Sequence, residues 1–345
     1  MTQIEYLKQQ LLAVLAIDSP TGHTAAAAQY VLEQYRALGF APALTNKGGV
    51  LVCVNEGRAG GEGGLLLEAH LDTLGAMVAE IKPNGRLRLT PLGGLNANNT
   101  EAENVRLATR GGRVFSGTFQ LKNASVHVNG EYSNEKRTFD SMELVLDEDA
   151  ASKEEVLALG IRTGDIACFD ARTTITENGY IKSRFLDDKL SVAILLAQAR
   201  GLAEGGKRPA RAVWHHITVF EEVGHGGSAS VPQGVTEAIS VDMGCVGEGL
   251  SCTEKQVSIC AKDSGGPYNY AVTTALVEAA KSVGAKYAVD VYPHYGSDVE
   301  ASLRSGWDVR HGLIGAGVYA SHGYERSHIE GVENTLKLLE AYVLD

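Results

Sequence analysis

The chain lacks several features that would assign it to a particular class of protein. Its 345 residues carry 42 acidic and 31 basic side chains, which gives a formal net charge of −11. Without an excess of basic residues to meet phosphates or anionic lipids, we expect no nucleic-acid and no membrane partner. The apolar runs are strand-sized, well short of the roughly 20 residues that a membrane-spanning helix needs.

Cysteine is also scarce, with five residues in an odd and scattered arrangement and no C-x-x-C pair. Such usage is typical of reduced thiols and speaks against a cysteine zinc site. The first residues show no basic segment followed by an apolar core, so we expect no secretory signal. These absences predict a cytoplasmic protein.

What the sequence does contain is a change of pattern along the chain. Helical spacing of apolar residues at 4–16 and a second helix precede strands at 50–54 and 65–69, which favours an α/β layer. From about 77 to 170 the chain consists of short strand-like pieces broken by Gly, Asn and Pro, typical of a small all-β domain. Helices and strands alternate again afterwards. We therefore predict an α/β domain, 1–76 and 171–345, split by a β insertion at 77–170.

Two glutamates, Glu221 and Glu222, follow an apolar run at 212–220 that we interpret as a strand, and a glycine-rich segment comes next. Adjacent carboxylates raise each other's pKa unless a positive charge lies between them. A metal ion is the simplest such charge, although a solvated loop pair is the alternative. The pair directs attention to the other strand ends, where the site residues of open α/β sheets collect.

Two further strand ends carry candidate ligands. His70 and Asp72 follow the strand at 65–69, and alternate residues of an extended segment face the same way, so Asp72 can orient His70 or lie beside it. Asp242 ends a strand at 238–242. The alternatives are a buried histidine that bonds an acid and a strand-ending aspartate turn.

A pair of aspartates, Asp187 and Asp188, opens the helix predicted at 188–204. An aspartate at a helix start is favoured by capping and by the helix macrodipole. Since one cap needs only one aspartate, the other is available as a bridging metal carboxylate.

Two histidines near the C-terminal end compete for a site role. His322 comes first after the apolar stretch at 313–319, whereas His328 precedes the final helix and can cap or pack, so we prefer His322. His215 and His216 lie inside a strand and are interpreted as structural. Three others lie in loops that could border a site: His23, His225 and His294.

Together the strand ends supply two histidines and a set of acids, the donors that Zn, Co or Mn take. A two-metal hydrolase needs about two histidines, a bridging carboxylate, a further carboxylate for each metal and one free acid as general base. The sequence therefore predicts such a hydrolase.

In order and spacing these residues resemble the TET-type metallo-aminopeptidases, the glutamyl and deblocking aminopeptidases among the clan MH zinc exopeptidases. The resemblance covers nearly the whole chain. It rests on five segments: His70–Gly75, Leu186–Lys189, Phe220–Gly224, Val241–Gly244 and the histidine at 322. The segments 321–328 and 263–267 also resemble a bacterial branch that is associated with synthesis of a modified dipeptide osmoprotectant.

The resemblance implies a fold, a site and an assembly. The fold would be a mixed-sheet catalytic domain like that of zinc exopeptidases, with an inserted barrel-like β domain that serves in homo-oligomer contacts, in some members those of a tetrahedral dodecamer. Two divalent ions, zinc first and cobalt or manganese otherwise, would be bound as follows: His70 and Asp242 on one, Glu222 and His322 on the other, and Asp187 between them. Glu221 would be the general base and Asp72 a partner of His70.

The implied reaction is hydrolysis of the N-terminal bond of short peptides. A water between the metals would attack the carbonyl, and Glu221 would take its proton and pass it to the leaving amine. The same site could instead serve an amidohydrolase or deacylase acting on a small N-acylated amino acid or dipeptide. A third alternative is an assembly protein without chemistry, against which the intact ligand set argues.

Overall fold

The computed structural model describes residues 1–57, 63–205 and 208–344. The chain divides into two compact units, of which the first joins Met1–Asp72 to Arg172–Asp345 and the second is Thr73–Ala171. The boundaries expected from the sequence, 77 and 170, lie close to these.

Seven α-helices are formed by the described residues: α1 (Gln3–Leu15), α2 (Ala25–Ala37), α3 (Lys153–Ala158), α4 (Leu186–Glu204), α5 (Tyr270–Ser282), α6 (Asp298–Arg304) and α7 (Ile329–Leu344). The same residues form seventeen strands: β1 (Ala43–Leu44), β2 (Val50–Asn55), β3 (Gly64–His70), β4 (Gly75–Ile81), β5 (Leu87–Leu92), β6 (Glu103–Ala108), β7 (Val114–Leu121), β8 (Met142–Leu146), β9 (Ile166–Phe169), β10 (Thr174–Ile175), β11 (Tyr180–Ser183), β12 (Val213–Thr218), β13 (Val235–Val246), β14 (Val257–Lys262), β15 (Tyr287–Val291), β16 (Arg310–Tyr319) and β17 (Glu325–His328).

The first unit is built on a mixed sheet. Its main path runs β1-β2-β12-β3-β13-β16-β17-β11-β10, while β14 pairs with β16 and β15 pairs with β14. The four central strands β12, β3, β13 and β16 are parallel, and the strands that flank them on this path are antiparallel. The register sets Thr218 opposite His70 on the neighbouring strand. The carboxyl ends of the central strands therefore meet at one edge of the sheet.

Both faces of this sheet are covered, which explains why the central strands are apolar throughout. Every residue of β3 is buried. Leu65 and Leu67 belong to the core that contains α1, α2, α4 and α7, whereas Leu66 packs on the opposite face with Tyr292 and Val299. A strand buried on both sides reads as a continuous apolar run rather than an alternating one.

The second unit is a closed antiparallel barrel with the strand order β4-β5-β8-β7-β6-β9. Alternate residues of β7 are buried, and Phe119 lies in the interior within 5.9 Å of Phe169, measured between ring centroids. Full closure leaves no strand edge open within the barrel. The expectation of an α/β fold with a mixed sheet and a separate barrel-like β insertion is confirmed.

Some elements were not predicted from the sequence, among them α6 and β17. The helix α6 has only seven residues, and β17 interrupts what seemed a loop before the final helix. Both are too short for a hydrophobic period to identify them. Among the described helices none is long and apolar enough to span a membrane.

Of the two histidines in β12, His215 faces the helical layer and His216 faces the other side. The Tyr35 hydroxyl lies 2.9 Å from Nδ1 of His215, and both side chains are buried. His216 Nδ1 lies 3.0 Å from a carboxylate oxygen of the buried Glu68. Burial lowers the pKa of His215 to about 3, because a charged imidazole would lose its solvation at that position.

We expect His215 to make the protein less stable in acid. Its pKa is depressed in the fold, so the unfolded chain takes up a proton below about pH 6.5 that the fold does not, and stability falls from there toward pH 3. The slope from this one group reaches about 1.4 kcal/mol per pH unit. Chemical unfolding of wild type and His215→Gln between pH 7 and 4 should show a shallower loss in the variant; equal slopes would contradict the assignment.

Candidate active site

The end of β3 supplies a histidine with a fixed orientation. His70 Nδ1 lies 2.9 Å from the main-chain oxygen of Asp72, so this nitrogen donates and Nε2 faces the cleft. There Nε2 lies 3.0 Å from Oδ1 of Asp187 and 3.8 Å from Oε2 of Glu221. Asp72 thus orients His70 through its carbonyl rather than through its carboxylate, whose Oδ1 is 3.8 Å away.

The carboxylate of Asp72 joins two other segments instead. Its Oδ1 accepts a hydrogen bond from the main-chain N–H of Glu221 at 3.1 Å, and its Oδ2 accepts one from the Thr21 hydroxyl at 2.7 Å. Asp72 is fully buried. It therefore fixes the glutamate turn against the end of β3.

The two aspartates at the start of α4 do not continue its regular helix. Asp187 has φ −78° and ψ 100°, Asp188 has φ −124° and ψ 27°, and a cis peptide bond joins them. Asp188 Oδ2 accepts a hydrogen bond from the main-chain N–H of His70 at 3.1 Å. The two oxygens of Asp187 point to different histidines, Oδ1 to His70 and Oδ2 to His322 at 3.6 Å.

After β12 the chain turns sharply through Glu221–Val223. The turn begins at Phe220, which has φ 71°, a left-handed conformation that is strained for a residue other than glycine. The Glu222 side chain is 4% exposed and its Oε2 lies 3.6 Å from Nε2 of His322, while the Glu221 side chain is 17% exposed. The adjacent glutamates therefore occupy different depths of the same cleft.

Asp242 and His322 complete the cluster. Asp242 lies within β13, which continues to Val246, so the strand end expected at 242 is wrong. Its Oδ1 accepts a hydrogen bond from the Met243 N–H at 2.6 Å. His322 lies in the turn between β16 and β17 with φ 62°. His328 lies elsewhere: its Nδ1 accepts from the Glu330 N–H, its Nε2 donates to the Asn178 carbonyl, and its ring packs on Tyr180.

Five of the seven residues predicted for the site line one cavity: Asp187, Glu221, Glu222, Asp242 and His322. The other two, His70 and Asp72, are buried and contact Asp187 and the main chain of Glu221. Of the three loop histidines, His294 lines this cavity, His225 stacks on Phe220 and is not among the lining residues, and His23 lies in an exposed turn before α2. The cavity has a volume of about 660 Å³.

Crowding of buried acids dominates the electrostatics of the cleft. Burial and neighbouring carboxylates raise the pKa of Glu221 and Glu222 well above the usual range, and raise that of Asp242 to about 7. Burial lowers the pKa of His70, but the bond to Asp187 and the surrounding acids outweigh it and raise the value. Such a group of acids is stable in ionised form only with cations among them.

The cluster fits metal ions in its chemistry and its spacing. Ligand atoms of His70, Asp187 and Glu222 lie within 4.8 Å of one another, and so do those of His70, Asp188 and Asp242. Oε1 of Glu222 and Oδ1 of Asp188 are buried and find no hydrogen-bond partner among the residues that the structure describes. Imidazole and carboxylate donors suit zinc and other borderline divalent ions.

One residue that holds the site was missed from the sequence. Glu325 is buried at the start of β17; its Oε2 accepts hydrogen bonds from the N–H groups of Leu186 and Asp187, and its Oε1 accepts one from His322 at 3.2 Å. It thus ties together the backbones of two candidate ligands on separate elements. Glu325 lies three residues after His322, but its other two partners, Leu186 and Asp187, lie more than 100 residues away in the sequence.

The comparison with known families agrees with this geometry. The family model of the M42 glutamyl aminopeptidases matches residues 48–338. The chain belongs to the M42 glutamyl aminopeptidase family. A protein of Bacillus subtilis strain 168, named "Putative aminopeptidase YhfE", is 38% identical over 343 residues, which cover 99% of each chain.

Solved structures of M42-like fold agree over the whole length. An aminopeptidase from the archaeon Desulfurococcus kamchatkensis superposes with a TM-score of 0.88 at 23% identity, covering 99% of this chain and 95% of its own. The TET1 peptidase of Pyrococcus horikoshii, described as assembling into a tetrahedron or a large octahedral shell, gives 0.85 at 22% identity with complete coverage of both. The predicted resemblance is confirmed, and the chain is an aminopeptidase, a metal-dependent hydrolase of peptide bonds.

We expect Glu325→Gln to loosen the site without unfolding the protein. A glutamine keeps one acceptor oxygen but turns an NH₂ group toward main-chain N–H groups, so Asp187 and His322 lose part of their support. Zinc affinity by calorimetric titration should fall about 10–100-fold. Glu330→Gln, which removes only a surface pair with lysines, is the matched control; equal affinity in both variants would refute a positioning role.

Proposed function

We propose that this M42 enzyme binds two divalent metal ions and removes the N-terminal residue from short peptides. His70 and Asp242 would hold one ion, Glu222 and His322 the other, and Asp187 would bridge them. The observation that carries the proposal is the Asp187 carboxylate, whose two oxygens face the two histidines separately. A carboxylate that served one ion or a plain ion pair would not need this placement.

The ions, zinc first and cobalt or manganese otherwise, would supply Lewis acidity, which lowers the pKa of a water molecule and polarises the scissile carbonyl. Glu221 is the residue of this chain that can move the proton. Its carboxylate is more exposed than that of Glu222, and its backbone is fixed by Asp72. It takes a proton from the attacking water and gives it to the leaving amine, a role favoured by a raised pKa.

Glu221→Gln should therefore separate chemistry from metal binding. The amide has the same shape as the carboxylate but cannot accept the proton, so turnover should fall by at least about 100-fold while both ions remain bound. Peptide hydrolysis and metal content by atomic emission are the two measurements. Glu248→Gln, on the exposed segment after β13, is the control. Near-wild-type turnover in Glu221→Gln would contradict the assignment of Glu221 as the general base.

The substrate class needs its own test, because the same residues could cleave an N-acyl bond. Dipeptides and tripeptides with a free amine should be cleaved by the metal-loaded enzyme, and their N-acetylated counterparts should not. Preferential cleavage of N-acyl amino acids or N-acyl dipeptides would identify an amidohydrolase or deacylase instead.

We further propose a homo-oligomer in which the barrel contributes contacts, with a tetrahedral dodecamer as the expected particle. Support comes from the assemblies described for TET1 of Pyrococcus horikoshii. It also comes from Val114, Val126 and Val128 of the second unit, which are exposed by 61%, 60% and 76%. The cytoplasmic location, which was inferred from the cysteine usage, stays a prediction.

Light scattering should give a particle mass of twelve subunits for the wild-type protein. Replacing Val126 and Val128 together by Asp should lower that mass, because buried charges oppose association at an apolar contact. A monomer at high protein concentration would contradict the proposal.

A further inference from the structure

One part of the lining of the active-site cavity, here called the wall, carries no formal charge of its own. It is formed by Met243, Cys245, Ser264, His294 and Tyr295. All acids that line the cavity belong to the proposed catalytic cluster, and no lysine or arginine is among the described lining residues. A thiol and a phenol such as those of Cys245 and Tyr295 are uncharged near neutral pH.

We propose that this wall receives the side chain of the substrate's N-terminal residue and selects residues with an uncharged side chain. The proposal rests on the aminopeptidase function proposed above and names the substrate class of that site. It departs from the glutamate preference in the description of the family.

An acidic N-terminal side chain meets no lysine or arginine among the described residues that line this cavity. Its carboxylate would lose water against the wall without a cation to replace the solvent. Transfer of a charged group out of water is costly unless a counter-charge or hydrogen bonds replace the solvent. Glutamate and aspartate are therefore selected against.

The wall itself also offers no carboxylate to a basic side chain, because the described acids behind it are already engaged. Asp263 is fully buried and accepts hydrogen bonds from the Gly265 N–H at 2.9 Å and the Tyr268 hydroxyl at 2.7 Å. The carboxylate of Glu300 lies against Gly265, where a Cβ would come within 1.9 Å of it. The glycine backbone therefore covers Glu300 and keeps it from a ligand.

Hydrogen bonds hold the wall in place. The Tyr295 hydroxyl donates to the Met243 carbonyl at 3.1 Å, and its ring packs on Tyr292 with centroids 5.0 Å apart. The Ser264 and Tyr295 segments exchange hydrogen bonds: the Tyr295 N–H donates to the Ser264 hydroxyl, and the Ser264 N–H donates to the Tyr295 carbonyl. Because the loops that carry Ser264 and Tyr295 are bonded to each other, they cannot easily rearrange to bring a charged residue into the cavity.

The test is a series of X-Ala dipeptides assayed with the metal-loaded enzyme, where X is Leu, Met, Gln, Glu or Lys. We expect kcat/KM for the best neutral residue to exceed that for Glu and for Lys at least about 10-fold. Peptides with a neutral first residue should also bind more tightly than those with Glu or Lys. Dissociation constants are measured by calorimetry with the Glu221→Gln variant, which is expected to bind the peptides without cleaving them.

Two variants at His294, which lines the wall, differ in charge. His294→Lys should raise the ratio of Glu-Ala to Leu-Ala cleavage more than His294→Gln does, because only lysine supplies the missing cation. If Glu-Ala or Lys-Ala were cleaved fastest and bound most tightly, the preference for neutral residues would be wrong, but the aminopeptidase function would stand. If no peptide were cleaved but peptides with a neutral first residue still bound most tightly, the proposed function would be wrong and the specificity of the wall would stand.

Discussion

The carboxylate of Asp187, placed between His70 and His322, is the interaction on which the rest of the site depends. Its two oxygens join the end of β3 to the turn after β16, and these elements are not neighbours in the sheet. Glu325 fixes both Asp187 and His322 through their main chains. Since several acids are buried around this contact, the cleft is stable only when positive charge is present, and the fold and the cofactor requirement are therefore linked.

The sequence predicts the part of this site that lies at the ends of strands. The runs before His70 and Glu221 are buried on both faces, so they stand out as apolar segments that stop at a polar residue, whereas Asp242 lies inside a strand that continues to Val246. The parallel order of the central strands then brings those residues together, as an open sheet requires. The α/β class and the barrel-like insertion follow from the same change of pattern along the chain.

Other parts could not be predicted, for physical reasons. Glu325 acts on the main chain of residues more than 100 positions away, and a pattern of side-chain types along the sequence does not contain main-chain contacts. Asp188 was recognised only as the neighbour of Asp187, although its carboxylate bonds the backbone of His70. Strand β17 is four residues long, which is too short for a period of two to be distinguished from chance.

The register of β3 and β12 has a consequence for how this enzyme can vary. His70 lies opposite Thr218, three residues before Glu221, and a shift of one residue would turn every side chain of a strand to the other face. An insertion or deletion in either strand would therefore separate the histidine from the glutamates even if all residue types were kept. Changes of length are restricted to the loops beyond these strands, including the wall segments around Ser264 and Tyr295, so that new specificities can arise there while the chemistry is unchanged.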